Sequence, residues 1–127
     1  MKRADDTGPQ RSDFPDGKVI FCVVPDDGTD KRVLVELRER YGLVRGSSLT
    51  CRGIGALADV RVGRGKLPES QLVKQICVVC SPGQADEIFD FIYWSARVNQ
   101  MGRGIMWQQP AVACSPYALP ADVPDEK

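Results

Sequence analysis

Runs of β-branched and aromatic residues alternate along the chain with stretches whose apolar positions recur every three or four residues, and the two rhythms predict different elements. Lys18 to Val24 (KVIFCVV) is a strand signal closed by Pro25. Asp26 to Gly28 then turns the chain. Thr29 or Asp30 can cap a helix in which Val33, Leu34, Leu37 and Tyr41 keep helical spacing, and Gly42 ends it. Ser48 to Ile54 is a second strand, weakened by Gly53, and a loop follows to about Gln71. Leu72 to Cys80 is a third strand with a strong β-branched bias. Ser81-Pro82-Gly83-Gln84 joins an N-cap serine, a proline at the first helical position and a capping-box glutamine. The helix it opens carries Ala85, Ile88, Phe89, Ile92 and Ala96 on one face. Gly104 to Gln109 gives a short last strand, stopped by Pro110.

The order β-α-β-β-α-β, with right-handed crossovers, predicts an α+β, ferredoxin-like fold: a four-stranded antiparallel sheet with both helices on one face. In the first strand Val19, Phe21 and Val23 point one way while Ile20, Cys22 and Val24 point the other, so both faces of the sheet are apolar. Two helices cover only one of them. The other is expected to meet a further subunit, because a large apolar sheet surface is rarely left in water. Residues 1–16, which mix Lys2, Arg3 and Arg11 with four aspartates, are expected to form a flexible arm. Residues 17–114 then form the domain, and residues 115–127, with Pro116, Pro120 and Pro124, a second tail.

A length of 127 residues and a mass of 14.0 kDa fit one domain. Basic and acidic residues balance at 17 each, which argues against a wholesale polyanion binder and leaves any basic site local. Histidine is absent, so Ser/His and Cys/His nucleophile pairs and imidazole-rich metal sites are excluded. No apolar run approaches the roughly 18 residues of a membrane-spanning helix, and the opening MKRADDTGPQRSD lacks a secretory apolar stretch, so a cytoplasmic location is expected. The five cysteines suit buried, reduced thiols. Cys77 and Cys80 form C-x-x-C, but three residues apart on a strand they face opposite ways. Whether Cys51 and Cys114 approach one another stays open.

Three segments could carry chemistry. Arg52-Gly53-Ile54-Gly55 has part of the spacing of a dinucleotide fingerprint but opens no helix; its glycines let the strand end bend or a ligand approach. Gly102-Arg103-Gly104 can form an anion-binding nest with a bidentate arginine donor. The loop from Ala56 to Gln71 carries Arg61, Arg64 and Lys66 against Asp59 and Glu69.

Together, the strand ending in R-G-x-G, the long loop, and DEIFDFIYWSAR followed by NQMGRGIMW make residues 18 to about 112 resemble the PII signal-transduction family. The resemblance implies a homotrimer that binds an adenine nucleotide between subunits and docks a long loop on membrane transporters or enzymes. Gly53 and Gly55 match the glycines at the base of that loop, and Gly102 and Gly104 those of the phosphate loop. The chain departs from the family's nitrogen regulators at Ile105, where they carry lysine, and at Ala56 and Leu57, where they carry arginine and glutamine. It departs again at Ala113-Cys114-Ser115-Pro116, where they carry an arginine-bearing closing segment. Arg103 is the candidate replacement for the lysine.

The expected function is therefore a non-enzymatic, PII-like regulator. Its effector, AMP, ADP, ATP or bicarbonate, would bind through Arg52, Gly53, Gly55, Gly102, Arg103 and Gly104, with no metal and no catalytic residue. Its partner, a transporter for inorganic carbon or ammonium, would meet Arg61, Arg64 and Lys66. The alternatives are a small metal-responsive or enzymatic ferredoxin-like protein and a ligand-free structural oligomer. RNA recognition shares this element order, but strand three lacks the aromatic residues that stack bases, so no nucleic-acid partner is expected.

Overall fold

A computed structural model describes residues 16–54, 70–100, 102–111 and 113–115. The expected arm and tail lie outside these residues, apart from Asp16 and Ser115. The elements are β1 (Gly17–Pro25), α1 (Thr29–Tyr41), β2 (Gly46–Ile54), β3 (Ser70–Cys80), α2 (Pro82–Ser95) and β4 (Ile105–Ala111). They form one sheet in the order β2-β3-β1-β4, with every neighbouring pair antiparallel, which is the ferredoxin-like α+β fold.

Ladder pairing carries the strands past the limits set by residue type. Ser70 and Gln71, expected in the loop, pair with Ile54 and Gly53, and β2 begins at Gly46 rather than Ser48. β4 runs through Pro110 to Ala111, as an edge strand can, because its outer side needs no donor.

The start of α1 also differs from expectation. Gly28, at φ 91°, is the N-cap, a left-handed conformation that suits glycine. Thr29 and Asp30 instead lie buried in the first turn. The cap oxygen comes from outside the helix: Asp27 Oδ1 accepts from the Thr29 N–H at 3.1 Å and from its hydroxyl at 2.5 Å. Asp30 accepts from the Ser48 hydroxyl at 2.6 Å, which fastens α1 to β2.

For α2, Ser81 is the N-cap and Pro82 leads the helix, as expected. The capping box is altered, however. The Ser81 hydroxyl donates to the Gln84 side-chain oxygen at 3.3 Å, and the Gln84 N–H goes to the Ser81 carbonyl.

The helix ends in a Schellman pattern, with Arg97 N–H donating to the Trp94 carbonyl and Val98 N–H to that of Tyr93. Arg97 thus occupies the left-handed position, at φ 60°, where glycine costs least. Arg97→Gly is expected to stabilise the domain by about 1 kcal/mol and raise its thermal midpoint by a few degrees. An unchanged or lower midpoint in a thermal melt would contradict this.

On the helix side of the sheet Ile20, Cys22, Val24, Ile76, Val78 and Cys80 pack against Val33, Leu37, Ala85, Ile88, Ile92 and Ala96. Each large aliphatic side chain buried there contributes roughly 1.5–3 kcal/mol. The opposite face is apolar as well. Val23 and Val73 pack with Cys51, and Phe21 stacks on Trp107 at 5.2 Å between centroids. Among the described residues no helix covers this face, on which Leu49 and Ile105 are half-exposed and Trp107 is 39% exposed.

The pairing places Cys77 on the uncovered face opposite Phe21, and Cys80 on the helix face, so the C-x-x-C residues diverge. Burial pushes the Cys22 thiol up to about 12, leaving it inert at neutral pH. Cys51 and Cys114 are not a pair. Cys51 sits opposite Val73, whereas Cys80, whose pKa is raised by burial and then by the Cys114 thiol, lies at the other end of β3, roughly 20 Å of strand away. All five thiols are free. Ser115 is held beside the start of β2, where it accepts from Arg45 at 2.9 Å through its carbonyl and at 2.5 Å through its hydroxyl oxygen.

Candidate functional site

Antiparallel pairing brings the end of β1, the end of β2 and the start of β4 to one end of the sheet, because Val23 lies opposite Ile105 and Val73 lies opposite both Pro25 and Cys51. The β1–α1 turn and the turn before β4 meet there. Gly102 (φ 78°) and Gly104 (φ 142°) both take positive φ. At Gly104 a side chain is sterically impossible, since a Cβ would lie 2.0 Å from the Val23 carbonyl oxygen. Close passage of one backbone over another thus accounts for this glycine without a ligand. The Arg103 N–H, which a nest would have turned outward, donates to the Gln100 carbonyl at 3.2 Å.

The Arg103 guanidinium is engaged within the chain. Nη1 donates to Asp27 Oδ2 at 2.9 Å and Nη2 to the Thr29 hydroxyl oxygen at 3.0 Å. Its Nε is buried with no partner among the described residues. The hydrogen bond from the Thr29 hydroxyl, followed by that from Arg103, lowers the Asp27 pKa to about 2. Asp27 is therefore a carboxylate at any neutral pH.

Arg52 stands exposed on β2, with a long 3.4 Å contact from Nη1 to the Ser70 hydroxyl. Gly53 does not bend the strand; it continues the ladder opposite Gln71. Gly55, Arg61, Arg64 and Lys66 lie outside the described residues.

The structure therefore joins Arg103 to Asp27 and Thr29 but does not bring Arg52 to the glycine turn. Arg52 and Gly53 are on the β2 edge and Gly102 to Gly104 precede the β4 edge, three strand spacings or roughly 14 Å apart. Residue-by-residue reading missed Asp27, Thr29 and Lys74. Lys74 lies on β3 between the two edges and donates to the Thr50 hydroxyl at 2.6 Å. Its signal was present: a lysine interrupts the apolar alternation of Leu72, Ile76 and Val78.

A separate open cleft of about 640 Å³ runs between the outer faces of α1 and α2. Two of the arginines along it are committed internally. Arg32 donates to the Ser95 carbonyl at 2.7 Å and pairs with Glu36 at 3.3 Å, while Arg40 lies 5.0 Å over the Phe91 ring. Trp94 beside them is 64% exposed. No grouping of three Cys, Asp or Glu suited to a metal ion occurs among the described residues, and none of their helices is long and apolar enough to cross a membrane.

No protein-family model matches the sequence, and no curated protein does. Solved structures do match in shape. CutA from Synechococcus elongatus superposes with a TM-score of 0.60 at 10% identity, over 79% of this chain and 80% of its own. PII from Arabidopsis thaliana bound to citrate gives 0.57 at 16% identity, over 76% and 78%. The periplasmic divalent cation tolerance protein CutA from Archaeoglobus fulgidus gives 0.55 at 13%, over 74% and 82%. At such identities the likeness is one of architecture, and the chain has the ferredoxin-like fold of the PII and CutA structures.

Proposed function

We propose that three copies of the chain pack through their uncovered sheet faces and bind a small oxyanionic effector, an adenine nucleotide or bicarbonate, in the clefts between copies. The observation that carries this reading is the split of the candidate residues: Arg52 and Gly53 lie on one edge of the sheet, and Gly102 to Gly104 beside the other, at the same end. Within one protomer the two halves stand too far apart to close together on one bicarbonate or one phosphate group. A ring that sets the β2 edge of one copy beside the β4 edge of the next brings such halves together, and the half-exposed Leu49, Ile105 and Trp107 supply the apolar surface to hold it. That the Arabidopsis PII structure holds citrate, another oxyanion, agrees with this choice of ligand class.

Bound effector would act by population shift. A ligand that contacts Arg52, Gly53 and Gly55 differently in two arrangements of the following residues favours one of them. Arg61, Arg64 and Lys66 then present their charge to a partner, a membrane transporter for inorganic carbon or ammonium. Calorimetric titration with AMP, ADP, ATP and bicarbonate tests the reading. Saturable heat with at least one of them is expected, and heat from none overturns it. Because the fold is also that of a protein named for divalent cation tolerance, saturation by copper or zinc with all four anions silent would favour a metal-responsive protein instead.

A further inference from the structure

We infer that Asp27 is a built-in competitor for the effector: its carboxylate occupies the Arg103 guanidinium in the free protein and is displaced when an oxyanion takes its place. This rests on the oxyanion reading above and adds a regulatory element to that site.

The geometry of the pair supports exchange. An arginine fork binds oxyanions best with two parallel N–H···O bonds, yet Asp27 offers Arg103 only one oxygen. Its other oxygen is held by the N–H and hydroxyl of Thr29. The second Arg103 bond goes to a neutral hydroxyl, and Nε is buried without a partner. The guanidinium is thus incompletely satisfied, and a buried donor left unpaired is costly. A phosphate or bicarbonate that draws the guanidinium away from Asp27 uncovers Nε and supplies its missing acceptor along with one for Nη. The pair is also accessible, with side chains 24% exposed at Arg103 and 44% at Asp27, and an ion pair so placed holds weakly. Once displaced, Asp27 keeps its bonds to Thr29, so it stays poised to return to Arg103 when the ligand leaves. Its competition is not relieved by protonation, because Thr29 and Arg103 hold its carboxyl far below neutral pH. No other charged group is paired with Arg103 among the described residues.

The test is calorimetric titration of the full chain and of Asp27→Asn with ADP and with bicarbonate. Asparagine keeps the shape and an acceptor for Thr29 while removing the charge. Asp27→Asn is expected to bind ADP and bicarbonate each about tenfold more tightly, because the Arg103 guanidinium no longer has to give up a charged hydrogen-bond partner to meet the anion. Adding Arg103→Gln should abolish that gain. Equal or weaker binding by Asp27→Asn, or a gain that survives Arg103→Gln, overturns the inference and leaves the oxyanion reading standing. Failure of both proteins to bind either anion overturns the two together. Should Asp27→Asn not fold, the ¹⁵N resonance of Arg103 Nε in the unmutated protein decides. A saturable shift on adding ADP is expected, and an unmoved resonance under saturating ADP refutes displacement at this residue.

Discussion

Replacing Gly104 by alanine is expected to destabilise the domain by roughly 3 kcal/mol or more, a large share of the 5–15 kcal/mol that holds a domain of this size. The added Cβ would lie 2.0 Å from the Val23 carbonyl oxygen and 3.2 Å from its carbon, both of them backbone atoms on β1. No rotamer change relieves such a contact. β1 is an inner strand that carries Ile20, Cys22 and Val24 into the core, so it cannot withdraw without opening the helix packing. The strain falls instead on β4, whose pairing of Ile105 with Val23 begins at the next residue. Alanine also tolerates poorly a φ of 142°. Gly83→Ala is the control, since nothing lies within 4 Å of its added Cβ and the residue is in α2. Urea unfolding should show a much lower midpoint for Gly104→Ala and an equal or higher one for Gly83→Ala. Unchanged stability at Gly104 would contradict the close approach.

The second large effect is on assembly. In the proposed trimer, Trp107→Asp should leave separate protomers at micromolar concentration, raising the dissociation constant by about a thousandfold or more. Trp107 stacks on Phe21 on the uncovered face and shares it with Ile105 and Val23. In an isolated protomer the ring is 39% exposed on an edge strand, so its loss costs the fold less than that of a core side chain such as Ile20. In a closed interface the new carboxylate would be buried without a partner, and tryptophans in such positions commonly contribute most of the binding energy. Trp94→Asp serves as the control. That ring is 64% exposed on the helix side, and its replacement should leave the mass unchanged. Sedimentation velocity distinguishes the outcomes, and a Trp107→Asp protein of undiminished mass would place the interface elsewhere.

The contrast between these two residues shows what was legible in the sequence. Alternation in KVIFCVV disclosed two apolar faces, and the spacing of Ile88 and Ile92 disclosed a helix with one buried side; both are local patterns, and the structure bears them out. The start of α1 was misplaced because Thr29 and Asp30 are good capping types. What decided the cap was Gly28 in a left-handed conformation, with Asp27 reaching forward. Ser70 and Gln71 look like loop residues and became strand only because Ile54 and Gly53 lie opposite them.

The candidate site was legible as residue types and not as partnerships. Gly104 stands out as a residue type, but its reason is a carbonyl on a strand far away in sequence. Arg103 stands out as a residue type, but its partner Asp27 is 76 residues earlier, and no periodicity links them. Lys74 was visible as a charge in an apolar alternation. Its meaning depended on knowing that β3 lies between the Arg52 edge and the Arg103 edge.

Light scattering of the unmodified chain in dilute solution bears most directly on whether these edges meet. Three times the 14.0 kDa protomer mass is the predicted value, steady across micromolar concentrations. The mass of a single protomer would leave Arg52 and Gly102 to Gly104 apart and contradict the cleft on which the account is built.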